Sequence, residues 1–444
     1  MSSPVLLLVF DAALAAIAWL LADQGRMTPA WSILGALAVL GIWQLVLFSS
    51  TRQATVAFRV ESFIRSTHYI QGILQGTIYV YLSLYWGDIG TYLPLLVAQA
   101  LVGYLVDMQL CWSRGRPVRL GFAIIPVILS TNLFLWFKED YFYYQLLMVA
   151  SAFLAKELVT WNYGGRRRHI FNPSALPLSV VSLIILATGQ VGLTRGVDLV
   201  GAFELPPNFY EVIFLLGLVT QVLFLTTPVS LGAVLALYLW FLAGEARYGE
   251  PLSATPVQIQ VFLGLTFLVT DPATSPKSSL GKFLFGLAYG TGVFATYVLL
   301  RTQLLPAYFD KLLTVPVVNL MVPLFDRVST WIESYFTDLL KRIPLAWTRY
   351  GWWLAYIGLF ALVVPTLKVA KTRELMVLPP PVTRVSGDLR RLVSNHIYCR
   401  SVFPEAFKPF GLRYEFSHLS AIRKVYEEGP AGAPPRPESV TIGQ

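Results

Sequence analysis

Apolar residues run along this chain in long blocks, not in the two-residue rhythm of half-buried strands. Runs near the length that crosses a bilayer, about 20 residues, occupy 4–22, 30–48, 68–86, 91–111, 119–137, 142–161, 174–193, 209–227, 229–244, 256–271, 283–305 and 351–367. The stretches 229–244 and 256–271 are short and read as tilted or broken helices. The first run lacks a basic stretch before it and a second follows at once, so it reads as a span and not as a cleaved signal peptide. The pattern predicts an all-α, polytopic integral membrane protein of about 10–12 transmembrane helices.

Two regions between the runs are amphipathic. In 49–66, Val56, Val60 and Phe63 fall at helical spacing beside Arg52, Arg59 and Arg65, which predicts a helix lying on the inner face of the membrane or docking a partner. The region 306–350 mixes aromatics, Pro316, Pro323 and charges, and predicts amphipathic helices on the outer surface. If 311–330 crosses instead, the C-terminal tail lies outside.

Composition narrows the class. Apolar types make up 55% of the 444 residues and charged types 13%, about half the charged share usual in soluble domains. That excludes an ordinary soluble enzyme, a disordered chain and a disulfide-built scaffold. Charge is sparse over 1–367 and dense over 368–444, so the chain divides into a transmembrane domain (1–367) and an aqueous tail (368–444). The PAGAPPRP stretch predicts a disordered end from about residue 429. The net charge of +9 is explained by basic loops on the cytoplasmic side of a bilayer, without a nucleic-acid partner. Arg52, Arg59, Arg65, Arg114, Arg116, Arg119, Arg166, Arg167, Arg168, Lys277 and Lys282 follow even-numbered runs, whereas Arg26, Lys138, Arg195 and Arg247 follow odd-numbered ones. This places a multi-pass protein in the cell's inner (plasma) membrane with both termini cytoplasmic. Cys111 and Cys399 form no CxxC pair, and His68, His169, His396 and His418 have no haem-like placement, so no metal site is expected.

Candidate chemistry concentrates where Xaa-Pro steps break apolar runs. These are RRRHIFNPSALPLS (166–179) and FLVTDPATSPKSSLGKFLFG (267–286). Proline removes an N–H and disfavours helix before it, and broken backbone at membrane depth persists only inside protein or along a polar cavity. Asn172 and Ser174, and Asp271 and Thr274, are placed to cap the helix ends that follow. Such ends attract anions, and one break in each half fits the internal repeats of transporters. The residues alone leave open whether these are binding elements or plain capped loops. Asp107, Lys156 and Glu157 lie near the inner ends of spans and read as interfacial, while Asp11 is deeper with no evident partner. Tyr85, Trp86, Trp112, Trp136 and Trp161 read as an aromatic belt.

FNPSA at 171–175 and TDPATSP at 270–276, followed by Gly281 and FLFG at 283–286, resemble the two signature segments of the RnfD/NqrB family. These are membrane subunits of Rnf and sodium-translocating NADH:quinone reductase complexes. The resemblance covers about residues 50–305 and implies a fold related to urea-type channels. It also implies partner subunits in an electron-transfer complex coupled to ion movement, and a bound flavin. The residues it points to are Asn172, Pro173, Ser174, Thr270, Asp271, Pro272 and Thr274. The family's FMN-bearing threonine sits in an SGAT-like motif on an outer loop; here 194–208 has none, and the nearest echo is Thr255 in Ser253-Ala254-Thr255-Pro256. Any FMN or riboflavin, or a quinone, is therefore expected to bind non-covalently. The alternatives are a solute or ion channel with the same fold and no redox role, or an accessory membrane subunit of a biosynthetic pathway.

Overall fold

The computed structural model describes residues 5–51, 58–163, 165–206, 208–248, 257–336 and 345–376. Its helices are α1 (Val5–Asp23), α2 (Met27–Thr51), α3 (Ser66–Ser83), α4 (Ile89–Ser113), α5 (Ile124–Asn132), α6 (Phe142–Leu158), α7 (Ala175–Thr188) and α8 (Gly196–Glu204). They continue as α9 (Phe209–Phe224), α10 (Thr227–Tyr248), α11 (Ile259–Phe267), α12 (Ser279–Thr302), α13 (Asp310–Leu320), α14 (Val322–Tyr335) and α15 (Leu345–Met376). Two strand pairs sit among them: β1 (Val60–Ser62) parallel to β2 (Val118–Leu120), and the hairpin β3 (Thr160–Tyr163)–β4 (Arg166–His169).

The protein is mostly helical, and among the described residues 5 helices are long and apolar enough to cross a membrane, or up to 7 spans if each of two bent helix pairs counts as one. Leu8, Trp19, Val39, Leu45, Leu147 and Leu215 are exposed on its outer surface. Such a surface would be costly in water and is at home among lipid tails.

Loop contacts define the two ends of the bundle. At the first face β1 pairs β2, Arg114 reaches Glu157 at 3.2 Å, His169 faces Asp271, and the Lys282 ammonium donates to the Leu225 carbonyl at 2.8 Å. At the second face Arg26 pairs with Glu139 at 2.7 Å and donates to the Thr91 carbonyl, and the Arg195 N–H donates to the Trp136 carbonyl at 2.7 Å.

Between these faces the chain builds the same five-element unit twice, α3–α7 and α9–α13. In each, the first helix packs on the third element, the second on the fourth, and the fourth on the fifth; across the halves α3 meets α9 and α7 meets α13. α3 starts at the first face, beside β1, whereas α9 starts at the second, where Tyr81 near the end of α3 meets Phe209. The two units are therefore inverted, the arrangement that places sites between repeats in many transporters. The third element of each is a half-helix of 9 residues, which rises only about 14 Å against a hydrocarbon core of about 30 Å. Non-helical backbone after α5 and α11 carries the chain on toward the opposite end of the bundle. It survives because it is enclosed by protein: Leu133, Leu135, Leu268 and Val269 are all buried. α10 and α12 approach closely, since a Cβ on Gly286 would lie 2.1 Å from the Val229 carbonyl oxygen.

Three expectations need correction. First, 306–350 does not lie on the surface as amphipathic helices in its first part: Ala307, Tyr308, Phe309, Leu312, Val315 and Val318 are buried, and α13 packs against α7, α11 and α12. Its charges misled because Asp310 and Lys311 are buried too. Second, 49–66 is not one amphipathic helix: α2 extends to Thr51, and Val60 sits in a strand because its backbone pairs with Val118. Third, the described ends of the helical core leave from opposite faces. α15 has Trp352 against Phe283 near the start of α12, then Phe360 against Phe214 and Phe262 near the starts of α9 and α11. It thus runs from the first face to the second, because α13 has already returned the chain to the first face. Residues 377–444, with the expected disordered end, lie outside the described residues, as does Thr255.

Candidate functional site

The first break is held by Asn172. Its Oδ1 accepts from the N–H of Ser174 (2.9 Å), the hydroxyl of Ser174 (3.1 Å) and the N–H of Ala175 (3.3 Å), so it caps the start of α7. Its Nδ2 donates to the Leu268 carbonyl at 2.8 Å, in the non-helical stretch after α11. One side chain thus closes one break and reaches the other. The second break is a turn around Asp271, whose Oδ1 accepts the Ala273 N–H (3.1 Å) and whose Oδ2 accepts the Thr274 hydroxyl (3.1 Å). Asp271 and Thr274 do not cap α12 as expected. Ser278 does, with its Oγ accepting the Gly281 N–H at 2.9 Å. Ser174 likewise spends its hydroxyl on Asn172.

Asn319, near the end of α13, joins the two breaks. Its Oδ1 accepts the Asn172 N–H and its Nδ2 donates to the Thr274 carbonyl, both at 3.2 Å. Asn172, Ser174, Thr270 and Thr274 are buried; Pro173 and Asp271 are partly exposed and Pro272 is exposed. The side-chain polar atoms of Asn172, Ser174, Thr274 and Asn319 are spent within this cluster, and the Thr270 hydroxyl donates to the Thr266 carbonyl, so its buried part is a clamp. Its open edge carries His169 Nε2 at 3.7 Å from Asp271 Oδ2, an ion-pair separation. Burial pushes the Asp271 carboxyl up, but His169, the Ala273 N–H and the Thr274 hydroxyl together hold it below the usual carboxylate range.

Beside this edge, β3 and α14 border an open groove of about 590 Å³, lined by Tyr163, Pro323, Asp326, Arg327, Thr330 and Trp331. Asp326 Oδ1 accepts the Lys277 N–H at 2.8 Å, and its Oδ2 accepts the Tyr163 hydroxyl. Burial and that carboxylate push the Tyr163 hydroxyl up to about 12. The Lys277 ammonium lies 4.7 Å from the Tyr163 ring centroid. The groove therefore offers the Trp331 and Tyr163 rings and the Arg327 guanidinium next to the Asp-Pro turn, with the Lys277 ammonium lying over the Tyr163 ring.

Inside the bundle the two half-helices end in different polar clusters, neither visible as a motif. At α5, Gln99, Asn132 and Gln145 form a closed amide network: Asn132 Nδ2 donates to Gln99 Oε1 (2.7 Å) and Gln145 Nε2 to Asn132 Oδ1 (3.1 Å), while Gln145 Oε1 accepts the Phe137 N–H (3.1 Å). Near α11 the cluster is open: the Tyr356 hydroxyl faces Gln221, Ser230 and Thr266, yet neither amide atom of Gln221 has a hydrogen-bond partner among the described residues. Gln75 on α3 is also fully buried with both amide atoms unpaired. Asp11 finds its partner in Gln44 at 3.2 Å. Sequence reasoning also passed over Asp310 and Lys311, which a polar pair at the head of the apolar TVPVVNL stretch could have flagged.

The chain matches no protein-family model and no curated protein.

Proposed function

We propose that this protein is a membrane subunit, similar to RnfD and NqrB, of a complex that couples electron transfer to ion movement across a bilayer. It holds a flavin or a quinone non-covalently in the groove between β3 and α14, against the Asp271–Lys277 turn. The observation that supports this reading best is the joining of the two signature breaks by Asn319 next to that groove. The protein supplies stacking faces and positive charge, through Tyr163, Trp331, Arg327 and Lys277, while the cofactor carries the electrons. Basic loops gather at the first face, which supports reading it as the cytoplasmic one; the described end of α15 then lies toward the outer side. The absorption spectrum of the full chain purified in detergent tests the cofactor. A flavin or quinone chromophore that is lost in Trp331→Ala, with the fold intact, supports the reading. Colourless protein that takes up neither added FMN nor a ubiquinone analogue refutes it.

A second reading, a channel or transporter without redox chemistry, is favoured by the inverted repeat, with half-helix α11 ending next to Gln221, whose amide is unpaired among the described residues. Uptake of small neutral solutes and monovalent cations into proteoliposomes distinguishes it, because such transport needs no electron donor.

A further inference from the structure

Two ionisable side chains at the head of α13 take no part in the groove or the clamp. Asp310 and Lys311 are each 2% exposed, enclosed by α11, α12 and α13. Their charged atoms stand 3.8 Å apart, too far for a direct hydrogen bond. They are unequally provided for. Asp310 is the first residue of α13, where the helix dipole favours a negative charge, and its Oδ1 accepts the Lys311 N–H. The Lys311 ammonium has three N–H bonds to place and, among the described residues, one hydrogen-bond acceptor, the Tyr308 carbonyl, besides the Tyr308 ring centroid at 5.8 Å. A charge removed from water and so poorly compensated is expensive.

The space around Lys311 is polar and specifically shaped. A Cβ on Gly264 of α11 would lie 3.2 Å from the Tyr289 hydroxyl and 3.5 Å from Lys311 Cβ, so tyrosine and lysine border the same spot left by a glycine. The Tyr289 hydroxyl is fully buried with no hydrogen-bond partner among the described residues, and it feels the Asp310 charge. It is thus an unspent donor that feels that carboxylate's charge. α7 and α11 contribute no titratable side chain; α12 contributes Tyr289 and, farther along, Tyr297, with Lys282 and Arg301 toward its two ends. From the turn before α13, Tyr308 reaches the Thr194 hydroxyl at 3.5 Å, beside Arg195 and Asp198 at the second face.

We propose that Lys311 is a proton-exchange site inside the membrane domain, served from the second face past Thr194 and Tyr308, with Asp310 and Tyr289 as its counter-groups. In the step, an Nζ–H bond of the ammonium breaks and the proton passes to water at the second face. The electron pair stays on Nζ as a neutral amine, and Asp310 remains ionised, held by the α13 N-terminus and the Tyr289 hydroxyl. Rebinding reverses it. The site deepens the ion-movement reading above by naming the proton as the ion, and rests on that reading only for net transport.

The test uses the full chain with ¹⁵N-labelled lysine in proteoliposomes. One amine signal should titrate apart from all others and disappear in Lys311→Arg, whose guanidinium keeps the charge and holds its proton. Lysine signals that titrate together, or a separate signal that persists in Lys311→Arg, overturn the proposal. Should Lys311→Arg fail to fold, Tyr289→Phe removes one oxygen atom and must move the midpoint of that signal; an unmoved midpoint overturns it equally. Proton uptake driven by a potassium diffusion potential is read in parallel and should fall at least about tenfold in Lys311→Arg. Absence of uptake by wild type with the separate signal present refutes the ion-movement reading and leaves the exchange site supported.

Discussion

Replacing Asn172 with alanine strands three buried backbone groups at once. The N–H groups of Ser174 and Ala175 lose their acceptor, and the Leu268 carbonyl loses its donor. A buried polar group left without its partner costs about 1–3 kcal/mol, and loss of a helix cap alone about 0.5–2 kcal/mol. The Ala175 bond is long at 3.3 Å and contributes least. Three groups at about 1–3 kcal/mol each sum to about 3–9 kcal/mol, and the lower half applies, about 3–6 kcal/mol. Arg167 is the control a few residues away: it donates to the Thr160 hydroxyl and the Glu157 carbonyl from an exposed position, where such contacts are worth at most about 1 kcal/mol. Asn172→Asp keeps the Oδ1 acceptor but turns a second carboxylate oxygen toward the buried Leu268 carbonyl, so it too should melt well below wild type. Thermal unfolding in detergent, followed by tryptophan fluorescence and by elution of the monodisperse protein, ranks the three. If Asn172→Ala melts with wild type, or no lower than Arg167→Ala, the clamp carries no load and the argument for joined breaks fails.

Gln145→Leu should destabilise by about 2–4 kcal/mol, because it leaves the Phe137 N–H and the Leu135 carbonyl unpaired in the interior; the same melting series checks it. Asp271 is held below the usual carboxylate range, so its contribution is fully present above the unfolded carboxylate value of about 3.9 and is lost as pH falls through the lower folded value. Asp271→Asn should therefore lower the melting temperature at neutral pH and flatten its decline in acid; parallel acid declines for the two proteins would contradict this. No covalent flavin is expected, so a denaturing gel under ultraviolet light, after co-expression with a flavin transferase, should show a dark band. Fluorescence at this chain's mass that vanishes in Thr255→Val would reverse that reading.

Apolar run length revealed the helical membrane class, because crossing a bilayer imposes a length that no soluble helix must obey. It overcounted full helices where α5 and α11 stop after 9 residues. Hydropathy registers apolar side chains, and the non-helical backbone after each half-helix is as apolar as a helix would be. The cap at Asn172 was legible because an Xaa-Pro step leaves donors that only a local acceptor can satisfy. The partner that joins it to the second break, Asn319, was not, since it is one amide in a region read as surface. Polarity there misled for a physical reason: Asp310 and Lys311 bury as a pair, and pairing is a property of geometry that composition does not carry.

The inverted repeat explains why the sequence displays one clamp when the fold has two. At the first face, the backbone after half-helix α11 and the backbone before α7 meet at Asn319, at the end of α13. Inversion requires the equivalent meeting at the second face: the backbone after half-helix α5 and the backbone before α13, at the end of α7. There Thr194, just past α7, forms a bridge with Phe137 and brings its hydroxyl to the Tyr308 hydroxyl at 3.5 Å. The first clamp works through side-chain amides and Asx turns and so leaves Asn-Pro and Asp-Pro in the sequence. The second works through backbone pairing and one hydroxyl, which leave no motif. The cost of ending a helix inside a bilayer is the same in both halves, so each half-helix needs its exit strand fixed to a neighbour. The clamp without a motif is the one beside Lys311, where the Thr194–Tyr308 hydroxyl contact is longer than the amide bonds opposite.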